Sequence, residues 1–255
     1  MNATATSLVV AGIIFAGSLI GLRLPKVLPD RHLSKETLDT IKLGTGMLSV
    51  LASLVLGLLI ATVKTSFDST NSAVRAYSAD LIVLDETLRD YGDGAIPARR
   101  LIRDYTSRLL RDVWLTGDNP YLVENRIAGM ELEHVRDDIR ALPADNPGQQ
   151  WLVNQALQLT TTLLRERWLL IERAGPSVQP VVIGLLVSWI TAIFISFGMN
   201  APRHATMYAA FLIVSLAIGS AMFLVLEMDT PFDGLMRISD RSVVTALTHM
   251  LPAGQ

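Results

Sequence analysis

Side-chain chemistry needs groups that ligate metals, move protons or attack carbonyls, and in this sequence such groups are scattered. There is no Cys, which removes thiolate nucleophiles, disulfides and Cys-ligated zinc or iron–sulfur sites. The four His residues, His32, His134, His204 and His249, lie far apart. Glu131 and His134 make one Glu-x-x-His pair with Asp138 four residues further on. Two such pairs on facing helices hold a di-metal centre, and the second copy is missing, so a solvated helix face is expected here. Ser residues in the apolar stretches have no His–Asp partner at the same depth, and no Gly-rich phosphate loop precedes a helix. No catalytic residue, metal ligand or cofactor is therefore expected, and the chain does not read as an enzyme.

A different chemistry is written in hydroxyls and small side chains four residues apart. Thr45, Ser49, Ser53, Gly57 and Ala61 form one run, continued by Thr65; Gly184, Ser188, Ala192, Ser196 and Asn200 form a second, and Gly17 with Gly21 a shorter third. Positions four apart stay near one helix face, so each run is a stripe where another backbone packs closely. The alternative for the first run is a water-filled path: Thr and Ser hydroxyls replace part of an ion's hydration, Gly and Ala widen the lumen, and Leu48 and Leu56 close it by dewetting. One four-helix subunit fills its own centre, so such a path needs a ring of subunits. Charges gather just beyond these stretches: Lys64 and Asp68, one turn apart, and Glu227, Asp229 and Asp233. They suit either ion pairing, Lys64 with Glu227 or Asp229, or a charged ring at a pore mouth.

The elements that position these residues follow from hydropathy. Of 255 residues 50% are hydrophobic and 18% charged, against about 25% charged in soluble domains. The charge is uneven: residues 65–180 hold 13 basic and 17 acidic residues. With no basic excess, a nucleic-acid binder is excluded. Four uncharged apolar windows, about 8–22, 43–63, 181–199 and 207–226, meet or approach the length of about 20 residues that crosses a bilayer. The first lacks a preceding Lys or Arg and a small-x-small cleavage pattern, so a retained span is expected. The expected fold is thus all-α: a polytopic membrane protein with a transmembrane hairpin over 1–64, a helical-bundle insert over 65–180 between the second and third spans, a second hairpin over 181–229, and a C-terminal tail over 230–255. Arg23, Lys26, Arg31, Lys35 and Lys42 between the first two spans, and Arg203 in the link between the last two, put those loops in the cytoplasm and the insert outside.

Within the insert, the second span continues without Gly or Pro, so one helix is expected from 43 to about Tyr91, ended by Gly92-Asp93-Gly94. Pro97 suits the next helix start, and Leu101, Ile102, Tyr105, Leu109 and Trp114 recur at helical spacing. Gly117-Asp118-Asn119-Pro120 breaks it, with Asn119 as a cap; a third helix stops near Leu142, and a fourth runs from Gln149 to about Arg173. Helices joined by short turns argue an antiparallel bundle.

Three segments resemble the bacterial bestrophin-like membrane proteins: Leu54 to Asp68 (LVLGLLIATVKTSFD), Ser196 to Arg203 (SFGMNAPR) and Phe223 to Gly234 (FLVLEMDTPFDG). The likeness covers nearly the whole chain in order, and the acidic Pro-Phe segment is its most specific part. It implies the four-span plan of bestrophins, which are oligomeric anion channels. The second span departs from theirs in having no aromatic-rich neck, with no Phe before Phe67, and the acidic residues at the outer mouth lean toward cations. The expected function is a homo-oligomeric ion channel of the bacterial inner membrane, tetramer or pentamer, with the lipid bilayer, inorganic ions and copies of itself as partners. Its axis is lined by Thr45, Ser49, Ser53, Gly57 and Ala61, and Lys64, Asp68, Glu227 and Asp229 stand at its mouth. The competing expectation is a sensor subunit whose helical bundle binds a ligand or partner; the short cytoplasmic loops leave it no effector domain of its own.

Overall fold

The computed structural model describes residues 3–29, 32–115, 126–175 and 177–251. Arg31 and the expected break at 117–120 with its Asn119 cap lie outside them. The described residues are helical and contain no strand. Among the described residues four helices are long and apolar enough to cross a membrane: α1 (Ala3–Arg23), α2 (Lys35–Tyr91), α6 (Pro180–Asn200) and α7 (Ala205–Met228). Between them lie α3 (Ile96–Leu110), α4 (Arg126–Arg140) and α5 (Pro147–Arg173), and α8 (Arg241–Met250) follows.

The helix limits have local causes. Ser34 precedes α2 and its Oγ accepts the Thr37 N–H at 3.3 Å, an N-cap that starts this helix ahead of the apolar run. At 57 residues α2 is about 85 Å long. It ends where Gly92 adopts φ 107°, a left-handed conformation open to glycine. Pro97 sits in the first turn of α3 and Pro147 in that of α5, where Asn146 Oδ1 accepts the Gln149 N–H at 2.9 Å.

The chain divides into two compact units, one of residues 1–65 and 176–229 and one of 66–175 and 230–255, with α2 common to both. In the first unit, α1 packs on α6 and α7. Its buried face is Ser7, Val10, Ala11, Ile14, Gly17, Ser18, Gly21 and Leu22, a three- and four-residue spacing rich in small side chains. Arg203 Nε donates to the Leu22 carbonyl at 2.9 Å, satisfying one of the orphan acceptors at the end of α1.

In the second unit, α2 contributes Val74, Tyr77, Leu81, Leu84 and Leu88, spaced alternately three and four apart, to a core with Ile102 and Tyr105 of α3, Leu132, Val135 and Ile139 of α4, and Ala156, Leu163 and Leu170 of α5. Residues 230–251, expected as a tail, fold into that core: Phe232, Ile238, Val243, Ala246 and Met250 are buried, and Trp114 Nε1 donates to the Ile238 carbonyl at 2.8 Å. The helix α8 shows in the sequence only as Val243, Ala246 and Met250, one face of a helix too short to stand alone.

One buried carboxylate of this unit is paired. Asp85, 2% exposed, accepts two hydrogen bonds from Arg99 at 2.9 and 3.0 Å. The Tyr77 and Tyr105 hydroxyls are 2.5 Å apart in full burial, which pushes both phenols above their ordinary value. Beside them Arg167 is buried, and its guanidinium occupies the space that a side chain at Gly129 would need. Glu166 has the opposite balance: burial first, then the nearby Asp80, raise its carboxyl above the usual range. A carboxyl that binds its proton more tightly in the folded than in the unfolded chain makes stability fall as pH rises from the ordinary carboxyl value through the raised one. Glu166→Gln is expected to flatten that decline, leaving the thermal midpoint of the purified protein less dependent on pH between about 4 and 7; an unchanged slope would contradict it.

Candidate functional site

The hydroxyl-and-glycine run of α2 does not lie on one face. Four residues advance a helix by about 400°, so the run turns about 40° at each step and about 160° from Thr45 to Ala61. Ala52, Leu59 and Val63 mark the buried side of this helix in the first unit. Thr45 falls close to that side, half-buried, and its Oγ1 donates to Ser196 Oγ of α6 at 2.8 Å. Ser49 is half-buried and its hydroxyl returns to the Thr45 carbonyl at 2.8 Å. Ser53, Gly57 and Ala61 have rotated away and are exposed, and a Cβ at Gly57 would meet nothing within 4 Å. Of the four candidate spans α2 is the least covered by its own chain, 11% of its most apolar window being buried against 28–44% in the others.

The other small residues behave differently. A Cβ at Gly21 would lie 2.1 Å from the Ile195 carbonyl oxygen, one at Gly198 2.3 Å from that of Ser18, and one at Gly219 2.8 Å from the Cβ of Ala11. These glycines let α1, α6 and α7 touch backbone to backbone. In the second run, Ser196 is buried, while Gly184, Ser188 and Ala192 are exposed.

The charges separate in the same way. Glu227 and Asp229 are buried, at 5% and 9% exposure. Asp229 Oδ1 accepts the Ser177 N–H at 2.8 Å, the Ser177 hydroxyl at 2.6 Å and the Val178 N–H at 3.2 Å, so this carboxylate ties the end of α7 to the segment leading into α6. Lys64 and Asp68 are exposed on α2, Lys64 on the side of the helix that carries Gly57. On α4, Glu131 pairs with Arg108 at 2.6 Å, and His134 and Asp138 are exposed. No group of three or more His, Asp or Glu side chains suited to a metal is found among the described residues.

Sequence spacing did not single out the cavity beside Thr45. It has a volume of about 560 Å³ and lies between α2 (Lys42, Thr45, Gly46, Ser49), α6 (Ser196, Phe197) and the start of α7 (Met207, Phe211). The only prior sign of it is Gly46, whose missing side chain leaves the space open.

An all-helical chain in which, among the described residues, four helices are long and apolar enough to cross a membrane has the make-up of a helical membrane protein. Residues 12–243 match the bestrophin-like domain, and the chain belongs to that family. Its fold is similar to crystal structures of a bacterial bestrophin homolog from Klebsiella pneumoniae carrying single substitutions: one at a TM-score of 0.64 and 13% identity, covering 98% of this chain and 97% of that one, another at 0.63 and 13%, covering 95% and 97%. No curated protein sequence matches it.

Proposed function

We propose that this chain is the protomer of a homo-oligomeric ion channel in a bacterial membrane. Its α1, α2, α6 and α7 cross the bilayer, the helical insert extends from one side, and α2 stands nearest the symmetry axis. Ser53, Gly57 and Ala61 form the narrow wetted stretch, and Lys64 stands at its end. The observation that carries the reading is the exposure of this face of α2 in the single chain, the least covered of the four apolar helices, while Gly17, Gly21, Gly198 and Gly219 of α1, α6 and α7 are consumed in packing. On the uncovered side of α2 these small residues alternate with exposed Val50, Leu54 and Leu58, so the small side chains widen a passage and the apolar ones give it walls that dewet. Membership of the bestrophin-like family and the fold shared with a bacterial bestrophin homolog support the same assignment. Thr45 and Ser49, turned toward α6, act as packing residues in this scheme.

Because the chain has no Cys, single cysteines at 45, 49, 53, 57 and 61 report wetting directly. Labelling of the reconstituted protein by a membrane-impermeant thiol reagent is expected at 53, 57 and 61 and reduced about tenfold or more at 45, in keeping with water access along one face only. Protection of all five positions would overturn the lining.

A further inference from the structure

The cavity beside Thr45 has chemistry of its own, separate from any conduction path. It lies where the apolar run of α2 begins, directly after Lys42, and where α6 ends and α7 starts. Two kinds of wall meet there. Phe197, Met207 and Phe211 give an apolar side, with Phe197 49% exposed at its edge. Lys42 and the hydrogen-bonded hydroxyls of Thr45 and Ser196 give a polar one. The volume of about 560 Å³ falls within the roughly 300–1,000 Å³ typical of small-molecule sites.

An occupant must match both walls. The ammonium of Lys42 calls for an anion; its contact with Asp39, 3.6 Å long and with both side chains more than half exposed, holds it weakly. The aromatic wall calls for a hydrocarbon chain, and the depth, at the edge of the apolar windows of α2 and α7, is that of a lipid headgroup. We propose that this cavity holds one anionic phospholipid, its phosphate against Lys42 and an acyl chain along Phe197, Met207 and Phe211. Seated between α2 and α6, the lipid lies against Thr45 and Ser49 on the side of α2 turned toward α6, so α2 packs there partly against lipid and not wholly against its own chain.

The full chain, purified in detergent, is incubated with equal amounts of phosphatidylglycerol and phosphatidylcholine, and the lipid retained per protomer is counted by native mass spectrometry. The wild type is expected to keep phosphatidylglycerol over phosphatidylcholine by about fivefold, as one lysine provides toward a net-anionic headgroup over one whose phosphate is offset by its own choline cation. Lys42→Gln should bring that ratio close to one and Lys42→Glu below it, and both variants alter a largely exposed side chain that the fold does not need. Gly46→Leu, which pushes a side chain into the edge of the cavity, should weaken retention of both lipids. Excess inorganic phosphate should displace neither. Equal ratios in wild type and Lys42→Glu, or displacement by phosphate, would overturn the proposal, as would a wild type that retains no lipid. Each readout is independent of ion flux, so this site and the channel reading fail separately.

Discussion

Gly198→Ala is expected to break the contact between α1 and α6 and to lower the stability of the purified protein by about 3 kcal/mol or more. The added carbon would stand 2.3 Å from the Ser18 carbonyl oxygen, 2.8 Å from the Leu22 nitrogen and 2.9 Å from the Gly21 Cα. All three are backbone atoms of α1, so no side-chain rotation relieves them and the helices must part. Overpacking a core that can adjust its side chains costs about 1–3 kcal/mol, and here adjustment is closed off. Lipid tails are as apolar as the side chains they would replace, so close packing is what holds two such helices together. Gly184→Ala, one carbon added to the same helix where nothing lies within 4 Å, is the control. It should be neutral or gain up to about 1 kcal/mol from helix propensity. Unfolding midpoints in a denaturing detergent titration separate the two, and a wild-type midpoint for Gly198→Ala would show that the approach of α1 to α6 is not as close as described.

The same pair of glycines marks how far sequence reading reaches. Hydropathy located all four long apolar helices, because the length of an uncharged apolar run is a property of the chain alone. Gly92 as the end of α2 was legible for the same reason, since it acts on its own neighbours, whereas α5 starts at Pro147, two residues ahead of the expected Gln149, with Asn146 as a cap that the sequence reading had not assigned. A four-residue spacing of small side chains was legible too, but not its use. Gly21, Gly198 and Gly57 look alike in sequence, yet two are pressed against carbonyls and one meets nothing. The difference depends on which helix lies opposite, which no local pattern encodes. The helical rotation that takes Thr45 to the α6 side and Ala61 to the far side follows from 3.6 residues per turn, but it becomes informative only once Ala52, Leu59 and Val63 fix the covered side. Asp229 was legible as a charge at a helix end, while its three donors at 177 and 178 come from a segment 51 or 52 positions away. The α8 helix went unread because its apolar positions gain meaning only against Trp114 and the rest of a core assembled from distant parts of the chain.

Gly57→Leu is expected to abolish most ion flux while leaving the folded protomer intact. Nothing of its own subunit lies within 4 Å of a Cβ at this position, so the larger side chain meets no intrachain obstacle, and exchanging Gly for a strong helix former favours α2 by up to about 1 kcal/mol. Around a symmetry axis the same change is repeated in every subunit. A ring of isobutyl groups then occupies the width that a ring of hydrogens left free, and it repels water from the narrow stretch between Ser53 and Ala61. Flux in proteoliposomes should fall at least about tenfold, with the thermal midpoint at or above that of the wild type. Gly57→Ala, a much smaller plug, should reduce flux only partly, so that the loss scales with side-chain volume. If leucine at this position left flux unchanged, α2 would not line the path. If it instead dissociated the oligomer, the face would be a seam between subunits, and the wetted surface would have to be sought on another helix. The sign of the stability change is what distinguishes these outcomes: a lumen tolerates the added carbons, whereas a packed seam, like the one at Gly198, does not.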